Sequence, residues 1–307
     1  MATASVHALD AGSLTIPERF FITPADQEAK RTVPSLSFLI QHKALTGATT
    51  RVVFDLGLRR DLTLYPTALQ NHCKNREPIT GKPDVVESLA RGNLKPSDIE
   101  IVILSHVHYD HVGYPKDFPN SRFIVGPGAL GLLSGDTQLN IGSHSHFEPD
   151  LLDLDSTTEL SPSDSSYKDP YYEWKSIGPF PNAIDLFNDR TVWIVNAPGH
   201  LPGHVNLLVR IATASPNSKA KYVYLAGDAC HDIRLFTGER DIATWKDEKG
   251  TSCCIHADIE ATKKTLARMR EAQKEGIEGG EVEVIFAHNY EWEKEAKEQG
   301  RFFPGKL

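Results

Sequence analysis

Cysteine is scarce: the 307 residues contain four, Cys73, Cys230, Cys253 and Cys254, with no C-x-x-C pair. They are too few for a disulfide scaffold, and the four are expected to be reduced packing residues. No run of about eighteen apolar residues occurs, so no transmembrane helix is expected. The first twenty residues carry His7, Asp10 and Glu18 and lack the basic start and apolar stretch of a secretory leader. Positive charge is also in deficit, with 33 Lys and Arg against 41 Asp and Glu and a net charge of -8. A polyanion is repelled by such a surface, so nucleic acid is not the expected partner. These absences together describe a cytoplasmic protein with neither membrane nor nucleic acid as partner.

The remaining composition, 40% hydrophobic and 24% charged with a mean hydropathy of -0.34, is that of a globular chain with a large core. Short β-branched runs separated by Gly, Pro and Asn predict strands at Ser37–Gln41, Arg51–Asp55, Ile99–Ser105, Arg122–Val125, Thr191–Asn196, His204–Ile211, Tyr222–Leu225 and Val282–Phe286. Helices are expected at Asp84–Ala90, Pro127–Leu133, Tyr290–Gln299 and above all His256–Glu275, where Ile259, Thr262, Leu266 and Met269 recur at helical spacing. Two stretches, Leu58–Pro83 and Leu132–Pro181, lack periodicity and read as inserts, and loops of that length are usually functional. No repeat or linker divides the chain; Ala214–Lys219 reads as a surface turn. A single domain over 1–307 is therefore expected.

The chemistry concentrates after the buried run Ile101–Ser105, in His106-Val-His108-Tyr-Asp110-His111. Three histidines and an aspartate within six residues at the end of a hydrophobic strand form a ligand-presenting loop. Side chains alternate along an extended chain, so His106 and His108 are expected to reach one ion and Asp110 and His111 a second. Imidazole and carboxylate without thiolate favour zinc over manganese, iron or cobalt. Three further strand runs end in such a residue beside small neighbours: Ala-Pro-Gly-His200, Ala-Gly-Asp228 and Ala-His288. Gathered at one sheet edge, they would complete the site.

On these residues the sequence resembles the metallo-β-lactamase superfamily. The family's early Asp closing a strand is matched by Phe54-Asp55-Leu-Gly57, its H-x-H-x-D-H by His106–His111, and its later His, Asp and His by His200, Asp228 and His288. The resemblance covers about 35 to 290 and is greatest to the dinuclear zinc lactonases that open acyl-homoserine lactones, reaching into Val6-His-Ala-Leu-Asp-Ala-Gly12. It implies an α/β fold, an αββα sandwich of two mixed sheets flanked by helices. It implies two Zn²⁺ per chain, one on His106, His108 and His200, the other on Asp110, His111 and His288, with Asp228 bridging and Asp55 behind the ligands holding them by hydrogen bonds. His108 stands where the iron branch carries Glu, which favours hydrolysis over redox chemistry.

Water shared by two cations becomes acidic enough to supply hydroxide at neutral pH. The implied reaction is opening of a cyclic ester or amide of a small apolar or aromatic molecule, with Asp110 and His231 as the catalytic side chains. His231 stands where the lactonases carry a substrate-binding tyrosine, and imidazole there either polarises the carbonyl, protonates the leaving group or merely positions the site. Thioester hydrolysis of glyoxalase II or acyl-carrier type and mononuclear iron persulfide dioxygenation are the alternatives. His144 and His146 read as surface or lid residues, His204 as a core or supporting residue, and Cys230 as packing. Phe147, Tyr167, Tyr171, Tyr172, Trp174 and Phe180 either wall the pocket or pack the second insert. The sequence leaves monomer and homodimer open.

Overall fold

A computed structural model describes residues 2–139, 144–167, 169–212 and 219–307. Its twelve principal strands lie on one hydrogen-bonded path that folds over on itself. In order these are Trp174–Ile177, Phe180–Asp185, Val192–Asn196, Val205–Ile211, Thr3–Leu9, Ser37–Lys43, Thr49–Phe54, Ile101–Ile103, Arg122–Val125 and Thr157–Glu159, with Lys221–Leu225 and Glu281–Ile285 branching from Val205–Ile211. Parallel and antiparallel ladders mix, as expected. The two sheets implied by the sequence are thus one ladder, and their junction is a single parallel pair, Ala4 with Ile211.

Three apolar layers make this a sandwich. Between the half-sheets, Val6, Phe38, Ile40, Val52, Phe54, Ile101 and Ile103 meet Ile194, Leu207, Val209, Val223, Leu225 and Ile285. On one outer face the helix Ile259–Glu275 places Leu266, Met269 and Ala272 against Trp193, Tyr222 and Tyr224. On the other, the helices Val85–Ala90 and Ala129–Ser134 place Val85, Leu89, Leu132 and Leu133 against Val53, Val102 and Phe123. The result is helix on sheet on sheet on helix, since each strand buries both faces and needs cover on both.

Local chemistry sets the element ends. Asp84 caps its helix in a capping box with Glu87. Asp258 accepts from the Ala261 N–H at 2.9 Å, so the long helix starts at Ile259 and not at His256. The residues before it are stitched elsewhere: the Ala257 and Asp258 N–H groups donate to the carbonyls of His200 and Gly199 at 2.9 and 2.8 Å. The expected strand Ile99–Ser105 shortens to Ile101–Ile103, and beyond it the Ser105 N–H donates to the Asp55 carboxylate rather than to a strand.

The stretch Leu58–Pro83 is not only loop. It holds the helix Thr67–Lys74, which buries just Leu69 and Cys73, two positions being too few to show a period. A second strand pair, Ser13–Pro17 with Lys30–Pro34, escaped the sequence reading as well. The turn expected at Ala214–Lys219 lies, apart from Lys219, outside the described residues; its flanking strands pair antiparallel. Among the described residues no helix is long and apolar enough to cross a membrane.

Candidate metal centre

Every expected ligand arrives at the same edge of the sandwich, each at or beyond a strand end. His106 to His111 follow Ile101–Ile103, His200 follows Val192–Asn196, Asp228 follows Lys221–Leu225 and His288 follows Glu281–Ile285. The alternation expected of His106 and His108 is not what joins them: both sit in a loop closed by the His111 N–H on the His108 carbonyl at 3.0 Å. The left-handed backbone of Asp55, φ 60°, turns the chain under this loop.

Two donor groups share Asp228. His108 Nδ1 lies 3.0 Å from both His106 Nε2 and His200 Nε2, and Asp228 Oδ2 lies 3.6 and 3.5 Å from the latter two. The other carboxylate oxygen, Oδ1, lies 3.1 Å from His111 Nε2 and 3.2 Å from His288 Nε2, with Asp110 Oδ2 3.7 Å from the same His288 atom. One cluster is therefore His106, His108, His200 and Asp228, and the other Asp110, His111 and His288 beside Asp228.

Hydrogen bonds behind the cluster choose the tautomers. The Ser105 hydroxyl donates to Asp55 Oδ2 at 2.8 Å, so at its 2.9 Å contact with His106 it accepts from Nδ1–H and leaves Nε2 with a lone pair. His111 Nδ1–H donates to Asp55 Oδ2 at 2.9 Å and His288 Nδ1–H to the Pro34 carbonyl at 2.7 Å, which directs both Nε2 atoms to Asp228. Asp55 thus supports two ligands at once, in the manner of carboxylates behind metal-bound imidazoles. His204 takes the supporting place expected of it, its Nε2 accepting from the Asp228 N–H at 3.1 Å.

Electrostatics separate the imidazoles. Burial holds His106, His108 and His200 well below the ordinary imidazole value, so all three are neutral and able to ligate. For His111 and His288 burial pulls the same way, but Asp228 outweighs it, with Asp55 adding to it at His111 and Asp110 at His288, and both rise. Burial lifts the Asp228 carboxyl, yet His111, His231 and His288 hold it well below the usual carboxylate range. His111 Nε2 and Asp228 Oδ1, both buried, face each other across 3.1 Å. A buried set of nitrogen and oxygen donors converging on the two oxygens of one carboxylate fits divalent metal.

His231, expected as a catalytic side chain, lies beside the cluster, and His256 and His144 join it from positions that had no such place in the sequence reading. His231 Nε2 sits 2.9 Å from Asp228 Oδ2. The ring of His256, fully buried with no hydrogen bond at either nitrogen, lies 5.3 Å from those of His200 and His231; a lone histidine before a helix gave no signal. His144 touches the cluster, its ring stacked on His108 and its Nδ1 3.2 Å from His108 Nε2, whereas His146 is exposed. Cys230 packs as expected, burial pushing its thiol up to about 12.

A recess opens beside the donor groups. Its apolar wall is Leu14, Ile16, Phe21, Leu69 and Ile255, from the segments that sequence reading passed over. Of the six aromatics weighed for that wall none lines it. Phe147 stacks over His108 at 5.9 Å, Phe180 on Tyr224 at 4.9 Å in the core, Tyr172 and Trp174 pack the insert down, and Tyr167 and Tyr171 face solvent.

The chain is similar to known proteins in sequence and in fold. The family model described as "Metallo-beta-lactamase superfamily" matches residues 31–125. The protein named gamma-lactamase MBL2, of Gibberella moniliformis, is 31% identical over 60% of this chain and 72% of its own length. The cytochrome P450 monooxygenase mpaDE of Penicillium roqueforti is 32% identical over 75% of this chain; the matched region is 26% of that protein. Among solved structures, an N-acyl homoserine lactone hydrolase with the product N-hexanoyl-L-homoserine at its metal centre superposes with a TM-score of 0.66 over the whole of both chains at 18% identity. The chain belongs to the metallo-β-lactamase superfamily, and proteins named as lactamases and lactonases are among its relatives. It spans about a quarter of the length of the first curated relatives it matches.

Proposed function

We propose that this chain is a dinuclear zinc hydrolase that opens a cyclic ester or cyclic amide of a small apolar or aromatic molecule. The observation that carries the reading is Asp228, whose two oxygens face two separate donor groups at the mouth of one apolar recess. His106, His108 and His200 would hold one zinc, Asp110, His111 and His288 the other, and Asp228 both. Zinc bound there supplies an acidified water and a Lewis acid for the ring carbonyl.

The rest falls to the chain. The wall of Leu14, Ile16, Phe21, Leu69 and Ile255 binds the substrate body and keeps bulk water out. Asp110, almost buried and lining the recess, fixes the substrate-facing side of the cluster. His231 lines the same recess with its Nε2 2.9 Å from Asp228 Oδ2, and in this reading its imidazole gives a proton to the ring oxygen or nitrogen as it departs. Water adds across the C–O or C–N bond, the carbonyl carbon taking the oxygen and the departing heteroatom a proton. The same reading makes the chain one cytoplasmic domain over 1–307, with a small molecule and not nucleic acid as its partner.

The test is proton release from a panel of lactones, lactams and thioesters, with wild type and a His106→Ala, His108→Ala double variant. Opening of a lactone or lactam that the double variant cannot perform is expected. Full turnover by the double variant, or thioester cleavage alone, contradicts the reading.

A further inference from the structure

The recess contains a charge that ring opening does not use. Arg76 is the one side chain lining it that carries a fixed positive charge. Four other arginines with a buried or half-buried head are neutralised at close range, Arg59 by Glu148 at 2.8 Å, Arg60 by Asp84 at 2.9 Å, Arg234 by Asp232 at 2.7 Å and Arg301 by Glu283 at 2.6 Å, and those without an ion pair, such as Arg122 and Arg268, do not line the recess. Among the described residues the Arg76 guanidinium, half-buried, has neither ion pair nor hydrogen bond.

Its position is fixed by its main chain. The Arg76 N–H donates to the Cys73 carbonyl at the end of the helix Thr67–Lys74, and its own carbonyl accepts from the Thr15 N–H, both at 2.9 Å. The side chain thus joins the wall between Leu14 and Leu69, beside His72 and Tyr109. Burial first, and then the Arg76 charge, bring His72 down to about 4, so His72 adds no second cation at neutral pH. Asp110 lines the same recess but faces the His288 donor. Asp228, the other carboxylate of the lining, is likewise taken up by the imidazoles, so the guanidinium has no anion of its own in the recess, and a substrate carboxylate meets that fork with two parallel hydrogen bonds.

We propose that Arg76 selects substrates whose apolar body carries a carboxylate, bound by its guanidinium while the ring carbonyl faces the histidine and aspartate cluster. The ring rests on the hydrolase reading; the carboxylate does not. The probes are therefore two cyclopentanones without a scissile bond, each with a six-carbon chain, ending in a methyl on one and a carboxylate on the other.

Binding of both to the zinc-loaded full chain is measured by calorimetry. Wild type is expected to favour the carboxylate probe by about tenfold or more. Arg76→Gln should bring that ratio close to one, and Arg76→Lys, which keeps charge without the fork, should leave an intermediate preference. Two results overturn the proposal: no preference in wild type, or a preference equal to wild type in Arg76→Gln, which would place the carboxylate on the metal cluster. If Arg76→Gln does not fold, a preference unchanged in Arg76→Lys overturns the bidentate assignment. The γ-lactones with the same two chains are assayed in parallel. Absence of turnover together with an Arg76-dependent binding preference sinks the hydrolase reading and leaves the Arg76 assignment standing.

Discussion

Asp55 shows how much of this site depends on a residue that would touch neither metal nor substrate. Its carboxylate accepts from the Ser105 N–H, the Ser105 hydroxyl and His111 Nδ1 at 2.6, 2.8 and 2.9 Å. Asparagine tolerates the same left-handed backbone, so Asp55→Asn should fold. Its amide, however, turns a donor toward either Ser105 or His111 Nδ1–H. We expect metal affinity to fall by about 10- to 100-fold, read by competition with a chromophoric chelator; wild-type affinity in Asp55→Asn would contradict the tautomer argument. His231 is the other residue whose role can be isolated. With metal content unchanged, His231→Gln should lower kcat by about 100-fold or more, and a kcat within about threefold of wild type would reduce His231 to a loop residue. The ligand loop His106–His111 was legible in the sequence because polar residues there interrupt a buried strand. His256 and Arg76 were not, because each is isolated in sequence, and His144, read with His146 as surface or lid, gains its place against His108 only from the fold.

Among the elements, the connections after strands position the chemistry, and two of them are bound together. Gly199 precedes His200 at φ 137°, and a Cβ there would stand 2.3 Å from Thr262 Oγ1 and 2.4 Å from the Thr262 nitrogen, at the start of the long helix. Backbone that is already hydrogen-bonded cannot yield, so Gly199→Ala must displace the His200 loop or the helix. We expect a loss of about 1 to 3 kcal/mol in denaturant unfolding, together with weaker metal retention. Unaltered stability and metal content would show the contact to be slack. Eight of the twelve strands of the main sheet were readable as β-branched runs between turn residues, and the long helix by its helical spacing. The strand Ser13–Pro17 and the helix Thr67–Lys74 went unread, and these build the substrate wall. Their burial patterns are too short to stand out, and each is stabilised by distant partners, Lys30–Pro34 for the strand and the recess core for the helix.

At the scale of the whole molecule, a sandwich with a dry interior brings four chain segments to one edge and buries there more imidazoles than two carboxylates can neutralise. The α/β sandwich was what the family resemblance of the ligand residues implied, and their convergence followed from residue order, since strand ends and ligand positions coincide. The single junction between Ala4 and Ile211 did not, because sheet closure is set by hydrogen-bond geometry that composition does not encode. Metal held there would supply the positive charge that Asp228 and Asp110 face, and the four segments that carry the donors meet only in the folded chain, so binding and folding are coupled. The most direct test is metal content by plasma mass spectrometry on protein purified without added metal, with hydrolysis of the lactone and lactam panel followed in the same preparation. The account predicts two zinc per chain, with ring opening lost on chelation and restored by zinc. One iron per chain with no hydrolysis would contradict it.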